Sequence, residues 1–210
     1  MAIHGKIVKT GSDGNCVIFH KKIVVDIGIP YLMLKPYIKD IQIILLTHCH
    51  SDHFNLNTLK KILLERPAVR IAAGKWMLPY LNGLRNIDIL DLNKWYDYRD
   101  FKLSIGKLYH DVDNGFWRID KQGYKIIYAT DTYTLDGISA RYYNEYWIEA
   151  NYDADTVHDI IHEKQARGEY AHQIGSINSH LSRQQAQDFV LKNAGENYEF
   201  ILLHQSKSAF

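Results

Sequence analysis

Between positions 48 and 53 the chain places three imidazoles and a carboxylate: His48, His50, Asp52 and His53. Imidazole nitrogens and carboxylate oxygens at this spacing can converge on a borderline divalent cation such as zinc. The other reading is a solvated His-rich loop. Against it stands the preceding segment, Ile41 to Leu46, which is continuously apolar and rich in β-branched residues. Such a run predicts a strand buried on both faces, and the ligand-type residues begin where it ends.

Later residues repeat this placement. His110 follows Leu103 to Leu108, Asp131 follows Tyr124 to Ala129, and His204 follows Phe200 to Leu203. Read singly, His110 and Asp131 could be turn residues and His204 a capped C-terminal histidine. Their order and strand context beside the first cluster favour ligation. His180 lies just before Ser182, a plausible N-cap, so a simple helix-start role stays open for it. His4, His20, His158, His162 and His172 fit no motif and read as ordinary surface or core residues.

The elements that must position these groups can be read from periodicity. Lys6 to Lys9, Cys16 to His20 and Ile23 to Asp26 read as short strands, with a turn at Ser12-Asp13-Gly14-Asn15. Tyr31 to Ile38 has a helical pattern, Leu56 to Glu65 amphipathic helix spacing, and Val69 to Ala72 that of a strand. Strand-like pieces run from Ile87 to Ala129. Helices are expected at Asp155 to Arg167 and at Ser182 to Lys192, before a closing strand at Phe200 to Leu203. Strands in two blocks, each followed by helices, predict an α/β architecture of two sheets between helical layers.

Composition bounds the function. The 210 residues are 46% apolar and contain no repeat or Pro/Gly/Ser-rich linker, so residues 1–210 are expected to form one domain. The formal net charge is +1 and no Lys/Arg run exceeds two, which argues against gripping long duplex DNA by charge and leaves room for a local basic groove. No stretch resembles a signal peptide or a membrane span, so a cytoplasmic protein without a membrane partner is expected. Cys16 and Cys49 lie in different segments, a poor basis for a disulfide framework.

The His-x-His-x-Asp-His pattern resembles the signature of the metallo-β-lactamase superfamily. The likeness covers nearly the whole chain and is closest to the small phosphodiesterase and exonuclease branch, the YycJ/WalJ-like proteins, with RNase Z and RNase J more distant. Gly11-Ser12-Asp13-Gly14-Asn15-Cys16 resembles that branch's opening turn, and Val24-Val25-Asp26-Ile27-Gly28 its second-strand motif. Tyr109-His110-Asp111-Val112, Ala129-Thr130-Asp131-Thr132 and Leu202-Leu203-His204-Gln205-Ser206 match its later metal-binding segments. Trp147-Ile148-Glu149-Ala150-Asn151 and Ser179-His180-Leu181-Ser182 resemble two motifs that separate the branch from the β-lactamases proper. A departure is His204-Gln205-Ser206, where the pattern usually reads His-Leu-Ser.

The resemblance implies a four-layer αββα metallo-β-lactamase sandwich and a site for two divalent metal ions: zinc, with manganese or iron as alternatives. His48, His50 and His110 would hold one ion, Asp52, His53 and His204 the other, with Asp131 bridging both. Asp52 would also orient the attacking water and manage its proton. His180, with Ser182 beside it, would contact the substrate and serve the leaving group, while Asp26 would orient the metal loop; Glu149 and Asn151 are read as structural. The implied substrates are phosphodiesters of nucleic acids or nucleotides. Alternatives are a cyclic-nucleotide signalling phosphodiesterase, a lactone, thioester or β-lactam hydrolase, and a non-catalytic binding module. The last predicts missing ligands, and none is missing.

Overall fold

Each strand presents alternate side chains to opposite faces, and in this chain both faces of the central strands are apolar. The computed structural model describes residues 3–171 and 173–205; His172, and Ser206 of the closing motif, lie outside the described residues. The first six strands, β1 (Gly5–Lys9), β2 (Cys16–Phe19), β3 (Ile23–Val25), β4 (Ile43–Leu46), β5 (Arg70–Ala73) and β6 (Ile87–Ile89), form one sheet in chain order. The second sheet has the order β12-β11-β10-β9-β8-β7, from β7 (Tyr96–Asp97), β8 (Lys102–Tyr109), β9 (Asp113–Lys121), β10 (Tyr124–Ala129), β11 (Glu145–Glu149) and β12 (Glu199–Leu203). Strands β3 to β6 are mutually parallel, as are β10 to β12.

Three apolar clusters define four layers. Between the sheets, Phe19, Ile23, Val25, Ile43 and Leu45 pack with Leu103, Ile105, Trp117, Tyr128 and Trp147. The alternate residues of the first sheet, Val24, Ile44 and Leu46, pack outward against Leu34 of helix α1 (Tyr31–Leu34) and Leu59 and Ile62 of α2 (Leu56–Glu65). Ile127, Tyr146 and Ile148 of the second sheet pack outward against Ala186, Phe189 and Val190 of α5 (Arg183–Asn193). The four-layer α/β sandwich expected from the sequence is therefore the observed architecture. Among the described residues no helix is long and apolar enough to cross a membrane.

Departures from the expected elements have local causes. The helical stretch at Tyr31 to Ile38 breaks after Leu34 into a 3-10 turn at Lys35–Asp40, because Pro36 has no N–H to continue an α-helix. Helix α3 (Val157–Ala166) is shorter than its pattern suggests. Helix α4 (Gln173–Ser179) is unheralded, since Gly175 and a run of small polar residues give it no amphipathic signal. The 3-10 turn at Lys75–Tyr80 is also absent from the periodicity; it brings the Trp76 indole N–H to within 2.8 Å of the Thr47 carbonyl, beside the histidine loop.

The turn joining β2 to β3 uses an unusual pair. His20 (φ 50°) and Lys21 (φ 63°) are both left-handed, and the Lys22 N–H donates to the Phe19 carbonyl at 3.0 Å. This is the geometry that Asn-Gly adopts most readily. His20 is half-buried with Nε2 lacking a hydrogen-bond partner, and burial, reinforced by Lys121 and His4, lowers its pKa to about 4. Protonation therefore favours the unfolded chain: the stability tied to the neutral ring is complete above about pH 6.5 and is lost as pH falls towards 4. His20→Asn keeps a residue tolerant of the left-handed region. Its melting temperature should fall less than the parent's between pH 7 and pH 5, and equal falls in thermal scans would contradict this account.

Candidate metal centre

The parallel strands deliver their C-terminal ends to one rim. Asp26, directly after β3, is fully buried, accepts from the Thr47 N–H at 2.9 Å and from the Thr47 hydroxyl at 2.8 Å, and lies 2.7 Å from His53 Nδ1. It clamps the first and last residues of the loop that carries His48, His50, Asp52 and His53. Glycine is required nearby, since a Cβ at Gly28 would collide with the Asp52 carbonyl. Asn15, in the opening turn, donates its backbone N–H to that carbonyl at 2.6 Å and places Nδ2 2.8 Å from His53 Nε2. The sequence marked this turn but not the role of Asn15.

The second sheet supplies the other half. Asp131 follows β10 and His204 follows β12, and both are left-handed, as is Asp26, with φ of 58°, 49° and 58° in that order. Non-glycine residues seldom adopt this region, and here it occurs at three strand ends on one rim. Donor atoms of His48, His50 and His110 all lie within 4.8 Å of one another, and so do those of Asp52, His53, Asp131 and His204. Asp131 stands where the groups meet, with Oδ2 2.6 Å from His53 Nε2 and 3.3 Å from His48 Nε2. All seven residues expected to bind metal are brought together.

The donor chemistry fits divalent cations. Asp131 is only 2% exposed, yet its Oδ1 has no hydrogen-bond partner, the nearest imidazole nitrogens, of His180 and His204, standing 3.4 Å away. A buried carboxylate oxygen without a partner is costly and calls for a cation. Outer contacts fix the rings: His110 Nδ1 lies 3.0 Å from the Ser179 carbonyl and His53 Nδ1 faces Asp26, which turns Nε2 of each towards the cluster. The protonation pattern agrees. Burial alone would depress His53 and His204, but Asp131, with Asp26 for His53 and Asp52 for His204, outweighs it and raises both pKa values. Burial opposes ionisation of Asp131 as well, and the charges of His53 and His204 still hold it well below the usual carboxylate range. His48 and His110, where burial dominates, are pushed towards the neutral form that binds metal.

Beside these groups His180 Nδ1 lies 2.8 Å from Glu149 Oε2, and Glu149 Oε1 accepts from the Thr132 N–H at 2.6 Å. Glu149, read from sequence as structural, thus contacts a candidate catalytic residue; its signals were its place at the end of a strand, fully buried in the fold, and the resemblance of residues 147–151 to a motif of the phosphodiesterase branch. Burial works against the His180 cation, but Asp131 and Glu149 hold its pKa up to about 10. Asn151 Nδ2 reaches the His204 carbonyl and Nδ1, both at 3.1 Å. Asp111, adjacent to His110, reaches both His110 Nε2 (3.0 Å) and His50 Nε2 (3.5 Å), a contact the sequence did not suggest. Ser182 takes the N-cap place the sequence offered: its hydroxyl accepts from the Gln185 N–H in a capping box at the start of α5, and the residue is 2% exposed.

No protein-family model matches this sequence, and no curated protein does. Solved structures do. The metallo-β-lactamase fold protein YhfI from Bacillus subtilis superposes with a TM-score of 0.73 at 15% identity, over 97% of this chain and 86% of that one. The chain has the metallo-β-lactamase fold. Human tRNase Z, short form, matches with a TM-score of 0.66 at 17% identity over 97% of this chain and 92% of that one. A diphosphatase from the PhnP family gives 0.66 at 12% identity over 98% and 87%.

Two outcomes follow for this metallo-β-lactamase-fold centre. Asp131→Ala should lose most bound metal, because Asp131 stands where the two donor groups meet; full occupancy of the variant by elemental analysis would contradict this. Because His53 and His204 hold protons above their ordinary pH range, a cation must displace them. Zinc affinity should therefore rise with pH through neutrality and binding should release protons, measured by calorimetry in buffers of differing ionisation enthalpy; pH-independent affinity would overturn the assignment.

Proposed function

We propose that the chain is a two-metal-dependent phosphodiesterase or nuclease acting on nucleic acid or nucleotide substrates. The observation that carries this reading is the Glu149–His180 pair at the edge of the candidate centre: His180 is needed by neither proposed ligand set, yet it is held at 2.8 Å by a buried carboxylate. The names of two structural neighbours, a tRNase Z and a diphosphatase, point the same way, as analogy of fold. The motifs at 147–151 and 179–182 support the YycJ/WalJ-like branch.

His48, His50 and His110 would hold one ion and Asp52, His53 and His204 the other, with Asp131 placed between the two groups. When bound, two divalent cations supply a water acidified towards neutrality and neutralise charge on phosphoryl oxygens. Asp52, with Oδ2 3.5 Å from both His53 Nε2 and His204 Nε2, orients the nucleophile and accepts its proton. Glu149 fixes the His180 ring through Nδ1 and stabilises its protonated form. Nε2, on a side chain 15% exposed, then donates to the leaving oxygen.

The deciding assay compares bis-p-nitrophenyl phosphate, single-stranded DNA, RNA and cyclic nucleotides with a lactone and a β-lactam at equal metal loading. Phosphodiesters should be cleaved at least about tenfold faster, and a reversed preference would overturn the reading. His180→Ala should keep both metals and lose about a hundredfold to ten-thousandfold in kcat, the range for positioned proton transfer. His204→Ala should empty one metal position. If the metal losses are exchanged between the variants, so are the assigned roles.

A further inference from the structure

Two exposed tyrosines stand on the segments that carry the candidate ligands. Tyr109 immediately precedes His110 and is 50% exposed; Tyr133, two residues after Asp131, is 45% exposed. The Tyr133 N–H donates to the Tyr109 carbonyl at 3.1 Å, the Tyr109 N–H donates to the Thr132 hydroxyl at 3.2 Å, and the two rings lie 6.0 Å apart, tilted at 42°. Neither phenol hydroxyl makes a hydrogen bond among the described residues. Strand alternation puts Tyr109 on the same face of β8 as Leu103 and Ile105, the face that packs against the first sheet, and as Lys107 between them and it. Lys107 places its ammonium 5.0 Å from the centre of the Trp76 ring, and Trp76 is bonded to the histidine loop through the Thr47 carbonyl. One rim thus offers two phenol faces and an indole, with the Lys107 ammonium ion-paired to Asp113. Tyr80, 46% exposed, also stands near the histidine loop, but its ring lies 6.3 Å from that of Phe54 and has no second exposed tyrosine beside it among the described residues.

Packing does not account for this pair. Exposed aromatic faces at a phosphoryl site suit a planar, sequence-independent partner, because every nucleobase offers a π-face. We propose that Tyr109 and Tyr133 form a stacking platform for the nucleobase next to the scissile phosphate. This rests on the phosphodiesterase reading and narrows it: the substrate is a base-bearing phosphodiester held by an unpaired base.

The test compares thymidine 5′-p-nitrophenyl phosphate with methyl p-nitrophenyl phosphate, which share a leaving group and differ in carrying a nucleoside or a methyl group, with the alanine and phenylalanine variants isolating the stacked ring. In the metal-loaded protein, Tyr109→Ala and Tyr133→Ala should each lower the ratio of kcat/KM for the thymidine ester to that for the methyl ester. The expected fall is about fivefold to hundredfold, seen mainly in KM, as for loss of one stacked base. Tyr109→Phe and Tyr133→Phe should retain the ratio, since the ring face rather than the hydroxyl makes the contact. Binding of oligothymidylate, followed by fluorescence anisotropy, should weaken in the alanine variants and persist in the phenylalanine variants. If the esters are cleaved but ratio and binding are unchanged, the platform is wrong and the phosphodiesterase reading stands. If neither ester is cleaved but oligothymidylate binding depends on the tyrosines, the platform stands and the catalytic reading falls.

Discussion

Asp131 carries its negative charge almost out of reach of water, at the line where two sheets meet, and the desolvation cost of such a group is tolerable only with positive charge close by. The imidazoles of His48, His53, His180 and His204 approach it at 2.6–3.4 Å. They come from both sheets, so the requirement of one carboxylate ties the halves of the sandwich together. Protons on His53 and His204 meet it in the metal-free protein, and cations would meet it by displacing those protons. The same constraint explains the shape of the donor set: oxygen at its centre, nitrogen around it, and a second ring of oxygens from Asp26 and Glu149 holding the outer nitrogens.

Holding this arrangement requires local conformations that the chain would not choose alone. Asp26, Asp131 and His204 all turn through the left-handed region as they leave their strands. Each is of a residue type that tolerates it better than most, and each turn directs the chain out of the sheet at the site. Gly28 permits the backbone contact that sets the histidine loop against the end of β3. The apolar cluster between the sheets, with Trp117 and Trp147 fully enclosed, supplies the rigidity that maintains these turns at the rim.

Glu149 shows how one residue serves two purposes here. Its strand, β11, is buried along its whole length between β10 and β12, so a carboxylate at its end must find donors. It accepts from the Thr132 N–H, adjacent to Asp131, and from the Leu181 N–H at 3.3 Å, next to His180. The contacts that satisfy the buried acid therefore fix the loop bearing the central carboxylate and the histidine beside it.

The sequence alone determined the elements whose burial is written in consecutive residues: the apolar run ending in His48-Cys49-His50-Ser51-Asp52-His53, the amphipathic α2, the capped start of α5, and the three later strand ends carrying His110, Asp131 and His204. These are local signals, set by periodicity and by the contrast between an apolar strand and polar residues at its end. Tertiary structure decided what depends on distance between segments far apart in the chain. Only the tertiary fold brings Glu149 to His180 and Asn15 to His53, and only the meeting of the two sheets brings Asp111 to His50. A carboxylate or an amide has the same local pattern whether it faces water or another side chain, so its partner is fixed by the packing that determines which strand ends share a rim.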